Sequence, residues 1–170
     1  IVLVGNMTKQ QDAYMKKDKV YEAEITLGGR SDTDDAEGHI TKSKVKGLVS
    51  KVEIEQALKE FVGEIEQMPP QYSAIKINGQ RAYDLARKGL KAELKMRKVS
   101  IYSIDGVEVN GDKVGFVCKV SSGTYIRSLA HDVGEKLGCG GYLSALRRTQ
   151  IGDYDVTKAY PVSDITQDFL

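Results

Sequence analysis

The chain has 170 residues, of which 41% are hydrophobic and 29% charged, and its formal net charge is +1. That size and balance fit a single globular domain, and no apolar run approaches the roughly 20 residues a membrane-crossing helix needs. Cys118 and Cys139 lack CxxC spacing, which excludes a paired zinc or dithiol motif and predicts two reduced thiols in a cytoplasmic protein.

In chain order, "IVLVG" at residues 1–5 reads as a buried strand already under way. "KVYEAEITLGG" alternates: Tyr21, Ala23, Ile25 and Leu27 share one face, while Glu22, Glu24 and Thr26 share the other, so Tyr21 is expected to point inward. "RSDTDDAEGH" follows as an acidic turn. "SKVEIEQALKEFVG" predicts a helix with a Ser50–Glu53 capping box, an apolar stripe of Ile54, Ala57, Leu58, Phe61 and Val62, and Gly63 as its C-terminal cap. "QMPPQY" predicts an extended connector, because each proline disfavours helix in the residue before it. "YSAIKINGQ" predicts a strand and a turn at Asn78-Gly79, and "RAYDLARKG" a short helix ending at Gly89. A hairpin is expected around Asn110-Gly111. "SSGTYIRSLAHDVGEKLG" predicts a helix with Ile126, Leu129, Ala130, Val133 and Leu137 on one face and Gly138 as cap. The chain closes on "PVSDITQDFL", where Ser163 reads as an N-cap. Both ends look cut, so part of a longer polypeptide is expected. Hairpins interspersed with helices predict an α+β fold, with a mixed, largely antiparallel sheet flanked by helices.

Charge is unevenly spread. Residues 1–75 carry ten Lys/Arg against thirteen Asp/Glu, whereas residues 76–98 carry Lys76, Arg81, Arg87, Lys88, Lys91, Lys95, Arg97 and Lys98 against only Asp84 and Glu93. Such a block is either a phosphate-facing surface, favoured by counterion release, or a solvated basic face.

Several chemistries lack the pattern they need. Counted from Asp32, the acidic turn puts Glu37 where an EF-hand requires Gly and Ser43 where it requires Glu, so a solvated turn is expected and not a metal site. His131 has no second histidine nearby and reads as a surface residue. No P-loop, dinucleotide fingerprint or G-x-S-x-G elbow occurs. Arg127 is the unusual residue. It falls in the first turn of a predicted helix, where the backbone's positive end already favours anions. Either it makes an ordinary ion pair while Tyr125 closes the core, or it holds a functional anion.

The run "SSGTYIRSLAHDVGEKLGCGGYLSALRRTQIG" closely resembles the TruB family of tRNA pseudouridine synthases. "KVYEAEITLGGRSDTDDAEG", "QMPPQYSAIKINGQRAYDLARKG" and "IVLVG" match the same family, and together these segments span nearly all of residues 1–165. "SLAHDVG" is similar to the bacterial branch rather than to guide-RNA-dependent relatives. The resemblance implies isomerisation of the T-loop uridine of tRNA, with no metal or other cofactor, by a monomer that engages no membrane. It implies that Arg127 partners an aspartate nucleophile carried by a "GHxGTLDPxAxGVL" motif, which these 170 residues do not contain. The missing piece is expected upstream in the gene or on a separate peptide. Residues 1–170 would then be a partial catalytic domain without the family's C-terminal RNA-binding extension.

The resemblance also assigns Tyr21 as the aromatic platform for the base, Tyr125 as a second pocket tyrosine, Leu146 as an apolar wall and Asp34 as a loop residue near the pocket. Lys19, Lys76 and Arg81 are the cations expected to contact the RNA backbone, in keeping with the basic block. The chemistry accounts for these residue types. Breaking the C1′–N1 bond requires a carboxylate against the sugar, a guanidinium that orients it, and an aromatic surface for the extruded base. The competing expectation is a T-arm-binding module that performs no isomerisation.

Overall fold

The computed structural model describes residues 1–43, 49–77 and 79–166. In chain order the elements are helix α1 (Gln11–Met15), strands β1 (Lys19–Leu27), β2 (Gly29–Ser31) and β3 (Ile40–Lys42), helix α2 (Lys51–Lys59), strands β4 (Gly63–Gln67), β5 (Lys76–Ile77) and β6 (Gln80–Arg81), helix α3 (Ala82–Arg87), strands β7 (Arg97–Asn110) and β8 (Lys113–Val120), helix α4 (Ile126–Lys136), and strands β9 (Gly141–Ile151) and β10 (Tyr154–Asp155). The fold is α+β. Its main sheet has the order β10-β9-β1-β8-β7-β4, and each neighbouring pair in it is antiparallel.

One face of this sheet carries the core. Ala23, Ile25 and Leu27 of β1 line up with Val114, Phe116, Cys118 and Val120 of β8, Ile101 of β7, and Leu143 of β9. Ile54 and Leu58 of α2, with Ile126, Leu129, Ala130 and Val133 of α4, close over it. Each fully buried Ile or Leu contributes about 1.5–3 kcal/mol. Contact between α4 and the sheet is close at one point. A Cβ on Gly134 would fall 2.0 Å from the backbone nitrogen of Gly141, so only glycine lets the helix lie on the start of β9.

Local signals account for most of the elements. Ser50 accepts from the Glu53 N–H while the Glu53 carboxylate accepts from the Ser50 N–H, the reciprocal box expected at the start of α2. Gly138, at φ +72°, follows α4 as anticipated, and Gly89, at φ +72°, donates its N–H to Ala86 O to end α3. Asn78 lies outside the described residues; the hairpin it was expected to turn is present, with Lys76 opposite Arg81. Ser163 falls inside a short 3-10 turn, Val162–Asp164, rather than capping an α-helix; residues 167–170, into which the anticipated helix would run, also lie outside the described set.

Four expectations are corrected. "IVLVG" forms no strand: Ile1 and Val2 are 54% and 81% exposed, no described strand pairs with them, and Gly5–Gln10 coils as a 3-10 helix. A short apolar run looks like a buried strand only while its hydrogen-bond partner is unspecified. Val62 is exposed, because α2 ends at Lys59 and the stripe loses register beyond it. Gly63, at φ +119°, opens β4 instead of capping α2. In the long hairpin Asn110 pairs with Lys113, so the two-residue loop is Gly111-Asp112, with Gly111 at φ +63°.

Candidate active site

The site is built where β8 hands over to α4. Lys19 of β1 pairs with Val120 at the end of β8, and Tyr21 with Cys118. Within a few residues of Val120 the chain turns at Gly123, at φ +86°, and enters α4 through Tyr125 and Arg127. Topology therefore brings the opening of β1, with its tyrosine, beside the N-terminus of α4. Tyr21 is half-buried and packs against the core on the inner face, as its alternation predicts.

Tyr125 is fixed by a residue that pattern reading missed. Its backbone N–H donates to Gln67 Oε1 at 2.8 Å, and its carbonyl accepts from Gln67 Nε2 at 3.0 Å. Gln67 closes β4 and is only 2% exposed, so its amide is fully committed to positioning this one residue. The following connector is fastened to the same helical turn. Ser128 Oγ donates to Met68 O at 2.7 Å, and Arg127 Nη2 to Tyr72 O at 2.9 Å. Buried Pro69 and Pro70 hold this stretch extended so that its carbonyls face α4.

Arg127 also reaches across to the acidic loop. Its Nη1 lies 2.9 Å from Asp35 Oδ2, with both side chains largely shielded, and contacts Thr33 O at 3.4 Å. Asp35 is itself held: its Oδ1 accepts from Thr33 Oγ1 at 2.6 Å and from the Glu37 N–H at 3.1 Å. One helical turn on, His131 Nδ1 lies 3.2 Å from Asp34 Oδ1. That hydrogen bond raises the histidine pKa, burial opposes it, and Asp34, Asp132 and Glu135 add to it through their charge.

Two expectations are thereby corrected. The acidic segment is a folded loop gripped by two side chains of α4, and His131 is a partner in that grip. The loop is also tied to β9, through Ala36 N–H to Leu143 O and Leu143 N–H to Asp34 O, each at 3.0 Å. Asp34 stands at φ +61°, a backbone conformation that Asp tolerates better than most residues. Of the two aspartates, Asp35 meets Arg127, whereas Asp34, the one singled out from the sequence, meets His131.

The remaining residues fall in two places. Leu146, opposite Ala23 on β9, and Arg148, opposite Tyr21, extend the inner face beyond the cover of α4; Leu146 is 46% exposed. Lys19 points its ammonium at the Met15 and Lys17 carbonyls. Lys76 and Arg81 are exposed on the β5–β6 hairpin, away from the junction in sequence. Arg81 and Arg87 both stack on the Tyr83 ring, at 5.7 and 5.4 Å from its centroid. All eight cations of the basic block are exposed. The cysteines take no part: burial pushes the Cys118 thiol up to about 12, which leaves it unreactive.

The site thus sets a tyrosine on the inner face of an antiparallel sheet, beside a helix that anchors an arginine to an acidic loop. A solved structure described as a Cbf5-Nop10-Gar1 complex superposes with a TM-score of 0.63 at 33% identity, covering 88% of this chain and 35% of that one. Another, of an H/ACA RNP bound to a substrate RNA containing 2'-deoxyuridine, gives 0.59 at 29% identity, covering 88% of this chain and 33% of that one.

The chain belongs to the TruB family of pseudouridylate synthases, whose N-terminal domain model matches residues 1–126. The model for the tRNA pseudouridylate synthase B C-terminal domain matches residues 127–170. The two matches meet inside α4, a continuous helix, so no structural boundary divides them. Proteins named tRNA pseudouridine synthase B from Clostridium kluyveri and Clostridioides difficile are 45% and 42% identical over 155 and 166 residues. These alignments cover 91% and 96% of this chain and 53% and 55% of the relatives, so the chain spans about half their length. Among the described residues, no helix is long and apolar enough to cross a membrane.

Proposed function

We propose that this chain is the uridine-binding core of an enzyme that converts a T-arm uridine of cytoplasmic tRNA to pseudouridine. The observation that carries this reading is the immobilised Arg127. Three acceptors hold it, and a guanidinium has more N–H donors than three acceptors use. The donors left over form the edge with which arginine orients a further carboxylate in a bidentate grip.

That carboxylate is the nucleophile of the "GHxGTLDPxAxGVL" motif, which these 170 residues lack; the same polypeptide or a separate peptide supplies it. Asp35 is poorly suited to the role, because both its oxygens are already taken by donors. In the reaction the C1′–N1 bond breaks with its electron pair leaving on uracil, and the carboxylate meets the positive character at C1′. The base turns and C5 bonds to C1′. The C5 proton departs and N1 ends protonated, so atoms and electrons balance without a co-reactant. Tyr21 carries the base on its ring, with Tyr125 and Leu146 as walls. Asp34 fixes the loop, and Lys19, Lys76 and Arg81 take backbone phosphates. The protein works as a monomer.

Nucleoside chromatography of a T-arm RNA after incubation with protein that includes the upstream motif tests the proposal. Pseudouridine at the T-loop position is expected, and unchanged uridine would defeat it. The second reading, a T-arm-binding module that performs no isomerisation, draws on the exposed basic block. RNA binding without turnover, even with the motif restored, would establish it.

A further inference from the structure

Beside the tyrosine-bearing end of β1 lies a recess of about 530 Å³, lined by Ile1, Leu3, Tyr14, Met15 and Ile151 together with Thr8, Gln11, Lys19, Gly123 and Arg148. Its charge is one-sided. Lys19 and Arg148 are the charged residues in this lining, and no carboxylate joins them. Neither makes an ion pair among the described residues. Asp18, next in the chain to Lys19, accepts from the Tyr102 hydroxyl at 3.2 Å and is not part of the lining.

The two cations are near enough to repel. Burial, and after it the Arg148 charge, lowers the Lys19 pKa, and the Asp18 charge offsets only part of this. Like charges brought together beside apolar walls are unfavourable unless an anion joins them. The lysine is also pre-positioned. Two of its N–H groups are spent on the Met15 and Lys17 carbonyls, and an ammonium has a third to give. Gly123, which has no side chain to fill the recess, is also part of its lining.

We propose that Lys19 and Arg148 form a subsite for one phosphodiester of the RNA strand, the linkage flanking the nucleotide whose base lies on Tyr21. The inference rests on the uridine-binding reading and adds a register element to it. The strand register places Arg148 directly across from Tyr21, so a phosphate held there sets how far the target nucleotide reaches along the sheet face. Arg148 is thus a positioning residue for substrate, distinct from Arg127, which faces the acidic loop.

The test uses this chain and a T-arm hairpin RNA, with affinity measured by fluorescence anisotropy over a range of salt concentrations. Arg148→Gln should lower affinity and reduce the slope of log K against log salt by about 0.7–0.9, the contribution of one phosphate. Arg148→Lys should keep most of that slope. Lys51→Gln, on the exposed side of α2, serves as the control for charge removal elsewhere and should leave the slope unchanged. RNAs carrying a neutral methylphosphonate at a single linkage then locate the contact. At one linkage beside the target uridine, the unsubstituted chain should bind as weakly as the Arg148→Gln chain, and the difference between the two should vanish there alone.

Unchanged slope and affinity in Arg148→Gln, with the unsubstituted chain binding normally, would overturn the subsite and leave the uridine reading intact. A methylphosphonate scan of the unsubstituted chain that shows no sensitive linkage beside the uridine would overturn it without recourse to any variant. If the unsubstituted chain, and the protein extended by the upstream motif, bind no T-arm RNA, both readings fall together.

Discussion

Arg127 and His131, one helical turn apart on α4, grip consecutive aspartates of the same loop: Arg127 holds Asp35 at 2.9 Å and His131 holds Asp34 at 3.2 Å. The helix that delivers the arginine to the site therefore also fixes the loop against which that arginine is braced. Orientation comes from two anchor points, and each has its own measurable consequence.

The first concerns Asp35. Asp35→Ala removes the brace and leaves Arg127 partly shielded with one acceptor fewer. Stability should fall by about 1–3 kcal/mol, less than for a fully buried pair because both side chains keep some solvent contact. Urea unfolding of the chain measures this, and an unchanged midpoint would mean that the pair does not hold the loop.

The second concerns pH. In the folded chain the His131 pKa lies above its unfolded value, chiefly through the hydrogen bond to Asp34, with the Asp34, Asp132 and Glu135 charges acting in the same direction. A raised pKa means that the folded state binds the proton more tightly. The stabilisation is therefore fully present below the unfolded histidine value, near 6.5, and is lost as pH rises through the higher folded value. Urea midpoints should drop across that window, modestly because the side chain is partly exposed. Asp34→Asn keeps a residue that accepts positive φ but removes the charge, and should flatten the profile. A profile as steep as that of the unsubstituted chain would contradict the assignment.

A third prediction isolates Gln67. Gln67→Leu roughly keeps the volume but leaves the Tyr125 N–H without its acceptor, while the Tyr125 carbonyl keeps its bond from the Leu129 N–H, so the cost is about 1–3 kcal/mol. Gln67→Glu can still accept from the Tyr125 N–H but, ionised, cannot donate to its carbonyl, so it too should be destabilised. Equal unfolding midpoints for Gln67→Glu and the unsubstituted chain would show that the second hydrogen bond is idle.

Gly134 supplies a fourth. Gly134→Ala places a methyl group against the backbone of Gly141, where no side chain can move aside. A loss of about 3 kcal/mol or more is expected, visible as a lowered thermal midpoint. Retention of full stability would require α4 to lie further from β9 than it does.

Much of this was legible locally. The capping box of α2, the apolar face of α4 and the alternation that turns Tyr21 inward are short-range patterns, and each folds as its own residues dictate. What stayed hidden was long-range. Asp35 and Arg127 are 92 residues apart, and an acidic run bounded by Gly reads as solvated until something positive is folded onto it. The i, i+4 spacing of Arg127 and His131 was the available hint that one helix face carries two acid-seeking groups. Gln67 gave no signal, since a glutamine before Met-Pro-Pro looks like any polar strand end. Strand β9 was missed because its glycine-rich start and paired arginines mask an alternation that is completed by β1. The family motifs carried what spacing did not: they marked Arg127 as the residue to follow and Asp34 as a neighbour in the acidic loop, but they gave no sign that Asp35 of that loop meets Arg127.

The most direct test of the account is tritium release from T-arm RNA labelled at uridine C5, because rejoining the base through C5 must expel that hydrogen. Protein that includes the upstream aspartate motif should release tritium, and Arg127→Lys in the same protein should slow release about a hundredfold or more with RNA affinity little changed, since lysine cannot keep its anchors and orient a carboxylate at once. Release by Arg127→Lys at the unsubstituted rate, or no release from the unsubstituted protein, would contradict it.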